Sequence, residues 1–125
     1  MDFKVIYYQD SSGKQPVEEF LVELKRVNGP LAAQVSKAIE KIRNRAYHKE
    51  PLSKHLESGL WELRVRAGTD ILRIIYTFEK GRIIILLHGF TKKDQKTPVG
   101  DLELARRRLK EVKEREENQN EQTKR

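Results

Sequence analysis

Cysteine is absent from the 125 residues, which excludes disulfides and thiol chemistry. Long apolar runs are absent too: no stretch approaches membrane-spanning length, and the start, MDFKVIYYQD, lacks the apolar centre of a secretory signal. A soluble, cytoplasmic protein without membrane association is therefore expected. Aromatics are scarce at 7% against 36% charged residues, the balance of a small domain with a strongly polar surface. No repeat or linker divides the chain. A single domain over residues 1–115 is expected, long enough for a core without covalent staples, followed by a polar, disordered tail over 116–125 (EENQNEQTKR).

What the chain has in excess is positive charge, a net +7, and the excess is local. Residues 1–40 carry 5 Lys and Arg against 6 Asp and Glu, and residues 101–125 carry 8 against 7. Residues 41–100 carry 13 against 6 and so hold all of the surplus. That concentration suits a polyanion, or an acidic protein partner.

The same segment contains the clearest strand pattern. Over residues 60–66, Trp61, Leu63 and Val65 alternate with Glu62, Arg64 and Arg66. Residues 71–78 are mainly β-branched and aromatic with one charge, Arg73, set into them, and residues 82–90 are apolar with His88 as the chief polar interruption. Gly68 and Gly81 mark two tight turns. Two-residue turns at Gly68-Thr69 and Lys80-Gly81 would set Arg64 opposite Arg73 and Arg73 opposite His88, a cationic row across three strands. The other face, Trp61, Leu63, Val65, Leu72, Ile74, Tyr76, Ile83, Ile85 and Leu87, would be core. Two guanidiniums beside an imidazole repel one another, so an anion is their natural complement.

Upstream, residues 3–8 read as a first strand. Val17, Phe20, Leu21, Leu24 and Val27 keep helical spacing after Pro16, and Leu31, Val35, Ala38, Ile39 and Ile42 do so after Pro30. Asn28-Gly29 joins these helices into a hairpin that can lie on the apolar sheet face. The second helix ends in Lys41, Arg43 and Arg45, which suit the negative end of its dipole. Thr97-Pro98 opens a last helix with a narrow stripe, Leu102, Ala105, Leu109 and Val112, expected to fray after about Arg115. Residues 47–58 read as the least regular connection. There His48, Glu50 and His55 could bind a metal, but their spacing matches no zinc pattern and the neighbouring lysines oppose a cation. Phosphodiester chemistry suits these residues better, with Glu50 or a histidine to move a proton and lysines to hold phosphate oxygens.

The order strand, two helices, three meandering strands and a terminal helix resembles the RelE/ParE-like toxins of bacterial toxin–antitoxin pairs. The segments GLWELR (59–64) and LHGFTKK (87–93), followed by KTP (96–98), are similar to its phage-derived HigB-type branch. The resemblance implies an α+β, RelE-like fold: a four-stranded, mainly antiparallel sheet ordered β-α-α-β-β-β-α. It also implies a metal-independent, cofactor-free endonuclease that cuts mRNA on the ribosome through the RNA 2′-hydroxyl, and a small antitoxin partner of helix-turn-helix type. Carried onto this chain, Arg64, Arg73, His88 and Glu50 become the catalytic candidates. Lys54, His55, Arg66, Lys92 and Lys93 become the RNA-binding ones. Phe90 stands where several relatives end the strand with a tyrosine or histidine and cannot transfer a proton, which leaves the acid and base roles open among His88, Glu50 and His55. Two readings of other classes remain beside this one: a ParE-like inhibitor of DNA gyrase, and a nucleic-acid-binding module without catalysis.

Overall fold

Gly68 at φ 62° and Gly81 at φ 84° turn the chain back on itself in the computed structural model, which describes residues 2–92 and 96–123, without side chains beyond 119. They link β3 (Leu60–Ala67), β4 (Asp70–Glu79) and β5 (Ile83–Lys92) into an antiparallel meander. β1 (Lys4–Tyr7) runs parallel to β5, and β2 (Ser53–Glu57) pairs antiparallel with β3. The α+β fold thus holds a five-stranded mixed sheet in the order β1-β5-β4-β3-β2. The fifth strand, β2, lies inside the connection read from sequence as irregular. Its sequence, SKHLE, carries no clean alternation because it is an edge strand with one neighbour and an exposed Lys54 and His55.

Helices α1 (Pro16–Val27) and α2 (Gly29–Ile42) form the expected hairpin, each with proline in its first turn. Asn28 closes the hairpin: its Oδ1 accepts from the Leu31 amide at 3.2 Å, and its Nδ2 donates to Asp70 Oδ2 at 3.0 Å. Both helices pack on one sheet face, where Val17, Leu24, Leu31, Val35, Ala38 and Ile42 meet Leu63, Val65, Leu72, Ile74, Tyr76, Ile84 and Leu86. At Gly89 a Cβ would stand 2.9 Å from Phe20 Cδ2, so only glycine lets α1 come this close to β5. Of the basic residues ending α2, Arg43 is structural: it donates to the Phe3 carbonyl at 3.2 Å and to Glu40 at 2.9 Å.

The opposite face carries a second core under α3 (Val99–Thr123). Ala105 and Val112, flanked by Leu102 and Leu109, close over Tyr8, Leu60, Ile75, Ile85, Leu87 and Phe90. Rather than fraying after Arg115, α3 continues to Thr123, through residues that are mostly good helix formers and past a Lys113–Glu116 pair at 3.9 Å.

The β4–β5 register differs from the one predicted. Glu79 pairs with Ile83, so the loop holds residues 80–82, with Arg82 at φ 58°. Leu87 then bulges between the Tyr76–Leu86 and Ile75–His88 pairs. His88 therefore stands opposite Ile75, and Phe90 stands opposite Arg73. Ile83, Ile85 and Leu87, expected under the helical hairpin, lie instead on the α3 side, and Ile84 and Leu86 occupy the hairpin side in their stead. The extra loop residue and the bulge cancel in parity, so Arg64, Arg73 and His88 still share a face.

Candidate functional site

The α3-facing side of the sheet changes character beyond the first turn of that helix. Alternation along β3 places Glu62, Arg64 and Arg66 there. Arg64 pairs with Arg73 across β4, as the Gly68-Thr69 turn requires, and Lys54 of β2 pairs with Glu62. Lys92, opposite Ile71 at the end of β5, joins the same side. A groove of about 340 Å³ opens among Pro51, Arg64, Arg66, Ile71 and Arg73.

A buried carboxylate sits among these cations. Glu62 is 1% exposed, and its Oε1 accepts from Arg73 Nη1 at 3.3 Å and lies 3.7 Å from Arg64 Nε. Its Oε2 accepts from the hydroxyl of Thr97 at 2.7 Å. Arg73 is thus not the uncompensated charge that the strand pattern suggests. One pair of offset along the strand is within reach of two long side chains. The compensation is incomplete, however. The buried Nε atoms of Arg64 and Arg73 have no hydrogen-bond partner among the described residues. Burial holds the Arg73 guanidinium below its ordinary range; Glu62 pulls the other way, and Arg64 and Arg66 deepen the depression. Lys92 is held down in the same manner, by burial first and then by Arg73, with Arg64 and Lys54 adding to it against Glu62.

The remaining candidates divide. Glu50 is exposed, just ahead of β2, and accepts from Arg64 Nη1 at 3.1 Å. His88 is half-buried one pair along from Arg73. Its Nε2 lies 2.6 Å from Asp101 Oδ1 in the first turn of α3, and its ring stacks on Phe90 at 5.5 Å. His55 is not brought to the cluster: it pairs with Trp61 and lies against that ring, at 4.7 Å, on the other side of the sheet. His48 is structural, its Nε2 donating to the Ile42 carbonyl at 2.6 Å and its ring set between Phe3 and Phe78. Lys93 lies outside the described residues. Sequence reasoning missed Glu62 and Asp101 as site members. The alternation that groups Arg64 with Arg73 also groups Glu62 with them, which was the available signal. Asp101 reads in sequence only as a first-turn acid.

Lys92 offers a test of this electrostatic picture. Its charged form is the one the fold disfavours, so the penalty is present at neutral pH and is relieved as pH rises toward the ordinary lysine value of 10.5. Lys92→Met should therefore melt at or above the parent temperature at neutral pH, with the gap closing in alkali. A variant that melts well below the parent would show Lys92 to be a net stabiliser.

A mixed sheet with a helical hairpin on one face and a C-terminal helix on the other is compatible with a RelE-like fold. The family described as phage derived protein Gp49-like (DUF891) matches residues 22–110, from within α1 into α3. The chain belongs to this phage-derived Gp49-like family, a RelE/HigB-like family related to the toxins of toxin–antitoxin systems, which pair with an antitoxin. Comparison with curated proteins gave no match. Among the described residues, no helix is long and apolar enough to cross a membrane.

Proposed function

We propose that this chain is the HigB-type toxin of a type II toxin–antitoxin pair and acts as a ribosome-dependent mRNA endonuclease, with a small helix-turn-helix antitoxin as its partner. The observation that carries the reading is the gathering of Arg64, Arg73, Lys54 and Lys92 beside an open groove, on the same sheet face as a His88–Asp101 pair. Arg73 and Arg64 would hold the scissile phosphate and the charge that builds on it. Lys54, Arg66, Lys92 and Lys93 would hold the neighbouring backbone. His88, oriented by Asp101, and Glu50 are the proton-transfer groups within this set; His55 faces away from it. In the reaction a base takes the proton of the 2′-hydroxyl, the 2′-oxygen bonds to phosphorus, and the bond to the 5′-oxygen breaks. That oxygen leaves with a proton, and a 2′,3′-cyclic phosphate remains. The chain's own side chains supply every role, so no metal is required.

Phe90 opposite Arg73 favours the non-catalytic alternatives, because it puts a side chain without an exchangeable proton beside the main cation. The test is to add purified protein to translating ribosomes and map mRNA ends. Cleavage is expected, and it should survive chelator at levels that leave ribosomes intact. Cleavage lost to chelation and restored by a divalent metal the ribosome does not need would overturn the metal-free mechanism. Intact mRNA, with double-strand DNA breaks on expression, would replace the nuclease by a gyrase inhibitor; intact mRNA and intact DNA would leave a binding module.

A further inference from the structure

We infer that Glu62 is the positioning residue of this site, fixing the two arginines and the start of α3 in one arrangement before RNA arrives; the inference rests on the nuclease reading above. At 1% exposure the carboxylate is closed off from any substrate, so it is not itself an acid or base for RNA. Its two oxygens are divided between two tasks. Oε1 takes Arg73 Nη1 at 3.3 Å and has Arg64 Nε at 3.7 Å, and Oε2 takes the Thr97 hydroxyl at 2.7 Å. Thr97 immediately precedes Pro98 and α3, whose first turn carries Asp101, the partner of His88. One side chain thus links β3, β4 and the segment that supports the proton-transfer histidine.

Stability alone does not account for this arrangement. A buried ion pair contributes little net stability compared with apolar residues of the same volume, and here the buried Nε atoms of Arg64 and Arg73 find no hydrogen-bond partner among the described residues. Preorganisation does account for it. A guanidinium on a long, flexible stem stabilises a developing phosphorane best if it is already held in place, so that little reorganisation accompanies the reaction. Arg73 and Arg64 both line the groove, and Glu62, which is not part of its lining, holds them both.

The test compares parent, Glu62→Ala, Glu62→Gln and Thr97→Val in single-turnover cleavage of mRNA on programmed ribosomes. Protein concentration is varied, at a temperature where circular dichroism shows each variant folded. Glu62→Ala should lower the limiting rate by about tenfold to a hundredfold while moving the half-saturating concentration by less than about threefold. Glu62→Gln keeps the shape and an acceptor oxygen for Arg73, and should recover most of the rate. Thr97→Val should lose rate in the same manner, by less. A folded Thr97→Val variant with the parental rate would overturn the inference even if Glu62→Ala cannot be made, as would a Glu62→Ala loss confined to half-saturation. A parent that does not cleave removes the nuclease reading itself, and is distinguishable because no variant is then needed.

Discussion

Arg73→Ala is expected to lower mRNA cleavage by on the order of a hundredfold or more per folded molecule, the scale set by losing a main charge stabiliser of a transition state. The residue is 8% exposed, lies mid-sheet opposite Arg64 and Phe90, and lines the groove. The strand pattern by itself suggests that this truncation would leave stability untouched, since no carboxylate stands directly opposite. Glu62 changes that. Without Arg73 its buried Oε1 keeps only the more distant Arg64, so a loss of about 1–3 kcal/mol is expected, held to that size by the remaining Arg64 and Thr97 contacts. Arg73→Lys separates the two effects. It retains the charge near Glu62 but not the forked donor geometry, so it should melt closer to the parent and still cleave poorly. Melting curves and cleavage rates for both variants decide the matter. If each retains parental cleavage whenever folded, Arg73 is a structural cation and the cluster is not the active site.

Leu63→Ala is the expected mirror image: a loss of roughly 2–5 kcal/mol with cleavage per folded molecule preserved. Leu63 is fully buried between Glu62 and Arg64 in sequence, but it points to the other side of the sheet, into the core formed with α1 and α2. Truncation leaves a cavity among Val65, Ile74 and their helical neighbours, which a close-packed interior fills only in part. Denaturant unfolding measures the loss. The assignment of faces fails if this variant unfolds like the parent, or if it stays folded and loses cleavage as Arg73→Ala does.

The legible parts of the sequence were those in which local chemistry admits one outcome. Gly68 beside Thr69 specifies a two-residue turn, and the Arg64–Arg73 pair follows from it. Pro16, Pro30 and Asn28 place the helical hairpin, and the stripe from Leu102 to Val112 places α3. The β4–β5 loop was not legible, because its third residue is Arg82 in a left-handed conformation that non-glycine residues seldom take. Nor was the bulge at Leu87, since Ile83 to Leu87 is apolar at every position and reads alike in either register. Strand β2 was lost to its polar edge composition. In the site, the cations stood out by their excess in the central segment and by the strand register; Glu62 shares their face by alternation but stands one pair from Arg73, and Asp101, a lone first-turn acid, emerges only once α3 meets β5.

The uniformly apolar stretch of β5 has a consequence for how the chain avoids misfolding. Both faces of the sheet are covered by apolar cores, so a strand slipped by one residue in this stretch would still bury hydrocarbon on both sides, and hydrophobicity penalises the error only weakly. The penalty comes from the other end of the meander. Any slip that carried Arg73 or Lys92 across the sheet would bury a charge beneath the helical hairpin, away from Glu62, at a cost that no apolar contact offsets. The cations proposed to grip RNA therefore also reject misaligned strand pairings. Replacing them together with apolar residues to harden the protein would remove that check, leaving a sheet free to settle in more than one alignment.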